Sequence, residues 1–135
     1  MNARFLVSLA VVALATGATG CSGCIRWTVA ADPATSVLNY VGSSPEMAYP
    51  RMSTRYRMTH SEAALTTAVL ALPHVRELEF ASANDVDFQD QRHATVTGTF
   101  DTKERQLYPF TATVIQEDDG MYRCDSLTVG GTTVR

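Results

Sequence analysis

The most regular hydrophobic pattern lies in the last third of the chain. From His93 to Asp101 the positions alternate, with Ala94, Val96, Gly98 and Phe100 on one side and Thr95, Thr97, Thr99 and Asp101 on the other. That period of two predicts a strand packed on one face. Thr102 to Gln106 reads as a charged turn, and Tyr108 to Gln116 as the next strand, with Phe110, Ala112 and Val114 inward. Pro109 has no N–H for a ladder and belongs at that strand's start, at an edge or at a bulge. Asp118-Asp119-Gly120 is a hairpin turn that returns Met121 to Val129 antiparallel to its predecessor. Tyr122 and Cys124 share one parity and Leu127 and Val129 the other, so a bulge is expected near Asp125 and Ser126.

Upstream the period lengthens. Thr59-His60-Ser61-Glu62 has the form of a capping box, and Leu65, Ala68, Val69 and Leu72 then fall on one helical stripe until Pro73 ends or kinks it. His74 to Phe80 fits either a short helix begun by Pro73 or a strand. Ile25 to Val29 alternates like a short strand, and Asp32-Pro33 is a good helix start for Pro33 to Val41, stopped by Gly42. Val37 to Val41 fits a strand equally. Ser43 to Glu46 and Tyr49-Pro50 read as loop. The expected fold is α+β, with one or two helices packed on a three- to four-stranded antiparallel meander. Residues 58–135 form that domain, and 21–57 are a tether and an N-terminal segment of ambiguous pattern.

The beginning of the chain carries a different signal. Arg4 and the amino terminus precede an apolar run, Phe5 to Ala15, broken only by Ser8, which is the form of a secretory leader. At about 1.5 Å per residue this run reaches about half of a hydrocarbon core ~30 Å thick, too little for a transmembrane helix. Ala18-Thr19-Gly20-Cys21 resembles the bacterial lipoprotein signal, in which small residues precede a cysteine that becomes lipid-modified and then N-terminal. The resemblance implies a signal peptide over residues 1–20, acylation of Cys21, and an exported protein anchored to a membrane on its periplasmic side. A non-Asp residue, Ser22, after the cysteine implies sorting to the outer membrane. A plain signal peptide cut after Ala15 or Gly20 is the other reading.

From Cys21 on about 115 residues remain, enough for one domain with one core. Apolar residues make up 45% of the chain, so a folded body is expected rather than a disordered stalk. Losing Arg4 from the eleven basic residues leaves ten against fourteen acidic ones, a balance that speaks against nucleic-acid binding. Within that balance the charges are segregated. Tyr49 to His60, YPRMSTRYRMTH, holds Arg51, Arg55 and Arg57 and no acid. These arginines are a candidate patch for a protein partner or for lipid headgroups, or else they pair with the chain's own acids. Glu77, Glu79, Asp85, Asp87 and Asp90 follow with no base between Arg76 and Arg92. They lack the spacing of a calcium loop and read as a solvated face or as a complement to the arginines.

Three cysteines are an odd number for an exported protein. With Cys21 acylated, Cys24 and Cys124 remain as a possible disulfide closing a loop of about 100 residues, nominally worth about 4–5 kcal/mol. Alternatively Cys24 lies on the tether and Cys124 is a buried thiol. Cys21 and Cys24 form a lone CxxC without a second ligand pair for zinc, and Ile25 stands where haem attachment needs histidine. His60, His74 and His93 lack ligand spacing, and there is no nucleophile elbow, phosphate loop or dinucleotide fingerprint. No catalytic residue, metal or cofactor is expected.

The order of parts from Tyr56 onward resembles a known family. Ser61 to Leu72 as a leading helix, Pro73-His74-Val75-Arg76-Glu77-Leu78, Ala94-Thr95-Val96-Thr97-Gly98 and the hairpin closing on Gly120 to Val129 resemble the small membrane-tethered domains typified by the cytochrome c oxidase assembly factor of mitochondria. That resemblance implies an accessory or assembly role in membrane complexes and no catalytic residues. Trp27-Thr28-Val29, Ser36-Val37-Leu38, Tyr108-Pro109-Phe110 and Leu127 to Thr133 are similar instead to the periplasmic YceI family, a lipocalin-like barrel that binds an isoprenoid chain. The expected function is therefore a non-enzymatic envelope lipoprotein that holds a protein partner with its sheet or its arginine-rich loop. The alternative is a carrier of a small apolar, isoprenoid- or lipid-like ligand between helix and sheet.

Overall fold

A computed structural model describes residues 22–135. The leader and Cys21 lie outside the described residues. The body is α+β, with four α-helices and a five-stranded antiparallel sheet among the described residues. One or two helices and three or four strands were expected. The sheet runs in chain order through β1 (Leu78–Phe88), β2 (His93–Thr102), β3 (Leu107–Gln116), β4 (Tyr122–Val129) and β5 (Thr132–Val134).

β2 and β3, which have a clean period, and β4, which changes parity once, fold as the sequence requires. Ala94, Val96 and Phe100 of β2 and Phe110, Ala112 and Val114 of β3 are buried on one face. In β4 the register passes from Thr113↔Ser126 to Val114↔Cys124, so Asp125 is the bulged residue and both parities of the strand point inward. Pro109 stands near the start of β3, beyond the β4 ladder that begins at Phe110↔Val129. Gly98 lies opposite Phe110. A Cβ there would stand 2.2 Å from the Ser82 carbonyl oxygen and 2.5 Å from the Phe110 ring, so only glycine admits this approach.

Two strands had no such signal. In β1 the register skips Glu79 and Asn84, and the second skip breaks the alternation that Ala81, Ala83, Val86 and Phe88 would otherwise show. The span 74–80 is thus neither a helix nor one strand: a 3-10 turn over Val75–Glu77 leads into β1. The turn into β5 is made by Gly130 and Gly131 at φ of 58° and 80°, left-handed geometry that suits glycine, and the strand is too short to display a period.

The largest departure from expectation is α1 (Ser22–Tyr40). Ala30, Ala31, Ala34, Val37, Leu38 and then Val41 form one stripe at helical spacing, and each is at most 4% exposed against the inner face of the sheet. The expected strand at Ile25–Val29 is therefore helical, and Pro33 sits inside the helix rather than at its start. Proline there cannot donate to the Val29 carbonyl, a local penalty that the buried stripe on both sides outweighs. Arg26 lies 4.0 Å over the Phe88 ring at one end of β1, and the Asn39 amide pairs with Ala81 near the other, so α1 runs antiparallel to β1. Asn39 accepts from the Ala81 N–H at 2.8 Å and donates to its carbonyl at 3.1 Å, as a neighbouring strand would. From Ser22 onward the stretch read as a tether belongs to the folded body.

The expected loop at 43–50 contains α2 (Pro45–Ala48) and a 3-10 turn, Tyr49–Arg51. Next come α3 (Thr54–Thr59) and α4 (Glu62–Leu70). Ser53 caps α3 by accepting from the Tyr56 N–H, and Ser61 caps α4 by accepting from that of Ala64. The cap of α4 is thus two residues later than the expected Thr59. Thr59 is taken by α3, where its hydroxyl donates to the Tyr56 carbonyl at 3.2 Å. The stripe itself is as expected: Leu65, Val69 and Leu72 are buried and Ala68 is half-buried. The core lies between α1 and the sheet and is closed by Leu65, Val69, Met52 and Tyr56.

Candidate functional site

The arginine-rich segment is tied down by carboxylates on β4 and its hairpin. The Ser53 N–H donates to the Cys124 carbonyl at 2.8 Å, which lays the segment beside the bulge. The Ser53 hydroxyl donates to Asp125 at 2.7 Å, and the other oxygen of Asp125 takes Arg55. Glu117 accepts from the N–H and hydroxyl of Thr54 at 2.6 and 2.7 Å and from Arg123 at 2.7 Å. Burial alone would raise the Glu117 pKa, but these donors outweigh it and hold the group below its ordinary value. Asp119 beside it is lowered to about 2, first by the Arg123 guanidinium and then by the Met121 N–H.

These contacts give each of the three arginines an acceptor within the chain. Arg51 stands 3.6 Å from Asp32 and donates to the Met47 carbonyl, Arg55 meets Asp125, and Arg57 donates to the Met52 carbonyl at 3.0 Å. They do not gather into one free cationic patch. Two of them pair with the chain's own acids, and those acids are Asp32 and Asp125 rather than the run from Glu77 to Asp90.

Cys24 and Cys124 are free thiols, so of the two alternatives the structure has the buried thiol at Cys124 and not the possible disulfide. Cys24 is exposed in the first turn of α1, whereas Cys124 faces the core from β4. Burial first, and the Asp125 charge second, push the Cys124 thiol up to about 12, which keeps it protonated and inert. Each histidine has a structural neighbour. His60 stacks on Tyr56 at 4.2 Å, His74 stacks on Tyr108 at 3.9 Å, and His93 sits 3.0 Å from Asp90. Among the described residues no three His, Cys, Asp or Glu side chains gather to hold a metal.

Two open surfaces stand out among the described residues. The first is the outer face of the sheet, where residues line up across strands by register. One row reads Asp85, Thr97, Thr111, Thr128 and Thr133; the next reads Asp87, Thr95, Thr113 and Ser126. Hydroxyls meet within these rows, Thr113 with Ser126 at 2.6 Å and Thr128 with Thr133 at 2.8 Å. A further row at the start of β3 sets Phe80 and Leu107, 59% and 69% exposed, on either side of Asp101. The alternation in β2 and β3 showed this face in the sequence, but its acidic border on β1 was hidden by the bulge.

The second open surface is where the first turns of α1 meet the β3–β4 hairpin. A groove of about 460 Å³ there has Val29, Pro33, Pro50, Met121 and Tyr122 among its walls and Asp32, Arg51 and Arg123 at its rim. An adjoining groove is lined by Ile25, Val29 and Tyr122. Sequence reasoning missed this surface because it read Ile25–Val29 as a strand; the spacing of Ile25 and Val29, one helical turn, was the available signal. Arg26 closes the end, donating to the carbonyls of Asp90 and Gln91 and to the Tyr122 hydroxyl.

Fold and site together define a helix-covered antiparallel meander with one face open. No protein-family model matches the chain, and no curated protein is significantly similar to it in sequence.

Proposed function

We propose that this chain is a non-enzymatic lipoprotein of the cell envelope, anchored through Cys21 on the periplasmic side of the outer membrane, that holds a protein partner on the open face of its sheet. The open threonine face supports this reading: α1 covers one side of the sheet, while Thr97, Thr111 and Thr113 stand exposed on the other. The arginine loop is the weaker candidate for partner binding, since Arg51 and Arg55 already meet Asp32 and Asp125. Asp85 and Asp87 border the threonine rows, so the partner surface expected to fit is polar and carries Lys or Arg. Such a role accords with the accessory proteins that the chain resembles from Tyr56 onward.

The carrier of an apolar ligand is the second reading. It requires α1 to lift, because Val37, Leu38, Val96 and Phe100 fill the space between helix and sheet at 0–2% exposure. Replacing Thr97 and Thr111 by Lys tests the first reading, since neither residue is core. The account expects the stability of the fold to change by no more than about 0.5 kcal/mol while cross-linking to a partner in the native membrane is lost. Unchanged cross-linking would remove the sheet face from the proposal, and a lipid-like mass retained in native mass spectrometry would favour the carrier.

A further inference from the structure

We infer that the surface where α1 begins is a membrane-docking face, with Ile25, Val29 and Met121 entering the headgroup boundary of a zwitterionic bilayer. The inference rests on the lipid-anchor reading and adds the contact that the folded body itself makes. Ile25, Val29 and Met121 are 60%, 44% and 56% exposed, and they are contiguous: Val29 and Met121 line one groove, Ile25 and Val29 the next.

The occupant follows from the place of the proposed anchor. Cys21 directly precedes Ser22, which already belongs to α1, so no spacer separates the anchored residue from the helix. With a rise of 1.5 Å per residue, Ile25 and Val29 stand only about 5 and 10 Å along the helix from Ser22. Interfacial elements bury their apolar side chains by about 5–10 Å at the headgroup boundary, so a body held this closely brings both residues within reach of lipid. The charges nearby are largely engaged. Arg92 meets Asp118, Arg123 meets Asp119 and Glu117, and Arg26 is held over Phe88 by two backbone carbonyls. A neutral headgroup surface therefore suits this end better than an anionic one. Docked this way, the hairpin tips face the membrane and the Phe80–Asp101–Leu107 row points away from it.

The test uses the full, lipidated chain in phosphatidylcholine vesicles. An environment-sensitive fluorophore is placed on Met121→Cys in a Cys24→Ser background, where the buried Cys124 stays unlabelled. Met58→Cys, at an 80% exposed position on α3, is the control. Fluorescence at 121 is expected to shift to the blue and rise about twofold, as interfacial burial requires, without further gain from anionic lipid. The label at 58 should not change, and Ile25→Asp with Val29→Asp should abolish the shift while the protein still floats with the vesicles. Flotation with an aqueous signal at 121 overturns the docking face and leaves the anchor standing. A shift that depends on protein concentration without vesicles overturns it in favour of a second copy on this surface. If the chain with Cys21 intact does not float at all, the anchor reading fails and the inference with it.

Discussion

The two faces of the sheet come from the same strands and are built on opposite principles. The inner face is held mainly by shape: Phe100 is fully buried, Phe110 lies over Gly98, and the alanines of α1 let the helix sit close to the strands. The outer face is a set of threonines whose β-branched side chains favour the strand and whose hydroxyls meet across strands, Thr113 with Ser126 and Thr128 with Thr133. Stability should therefore reside on one face, which leaves the other free to vary for recognition.

That contrast can be broken by substitution on the two sides. Phe100→Ala should destabilise the fold most, by about 3–5 kcal/mol, as a large cavity in a closed core requires. Chemical denaturation measures this, and a loss below about 1 kcal/mol would mean that α1 does not seal the inner face. Gly98→Ala comes next at about 1–3 kcal/mol, because the added methyl must displace the Phe110 ring or the β1 backbone. Thr97→Val, on the same strand but facing outward, should change stability by less than about 0.5 kcal/mol. Equal losses for Gly98→Ala and Thr97→Val would erase the distinction between the faces.

The smallest effect expected is electrostatic and sits at the hairpin tip. Glu117 and Asp119 are held below their ordinary pKa values of 4.5 and 3.8, Asp119 at about 2. Groups lowered in the folded state stabilise it above their unfolded pKa and lose that contribution as pH falls through the folded value. The melting temperature should thus decline between pH 4.5 and about 2, and Arg123→Met should flatten the decline. An unchanged slope in that variant would remove Arg123 from the network.

How much of this was legible from sequence depended on whether one period ran uninterrupted. β2 and β3 could be read because alternation persists along them, and β4 because its two short alternating halves change parity across a single bulge at Asp125. β1 could not, since Asn84 inserts an unpaired residue in the middle of the pattern. In α1 the buried stripe begins at Ala30, and Asp32-Pro33 imitates a helix start within it; local chemistry pointed one way and tertiary packing the other. At the site, Arg51, Arg55 and Arg57 were visible as a basic cluster, but their partners Asp32 and Asp125 are distant in sequence and only the fold brings them near. The apolar surface at Ile25, Val29 and Met121 joins residues almost a hundred positions apart, which no local pattern can reveal.

The proposed lipid anchor puts an acylated Cys21 at the amino terminus of the mature protein, next in sequence to Ser22 of α1. Mass spectrometry of the N-terminal peptide of protein taken from its own membranes tests it most directly. The account expects Cys21 at the amino terminus, carrying a thioether-linked diacylglycerol. A peptide that begins at Met1, or an unmodified Cys21, would contradict it.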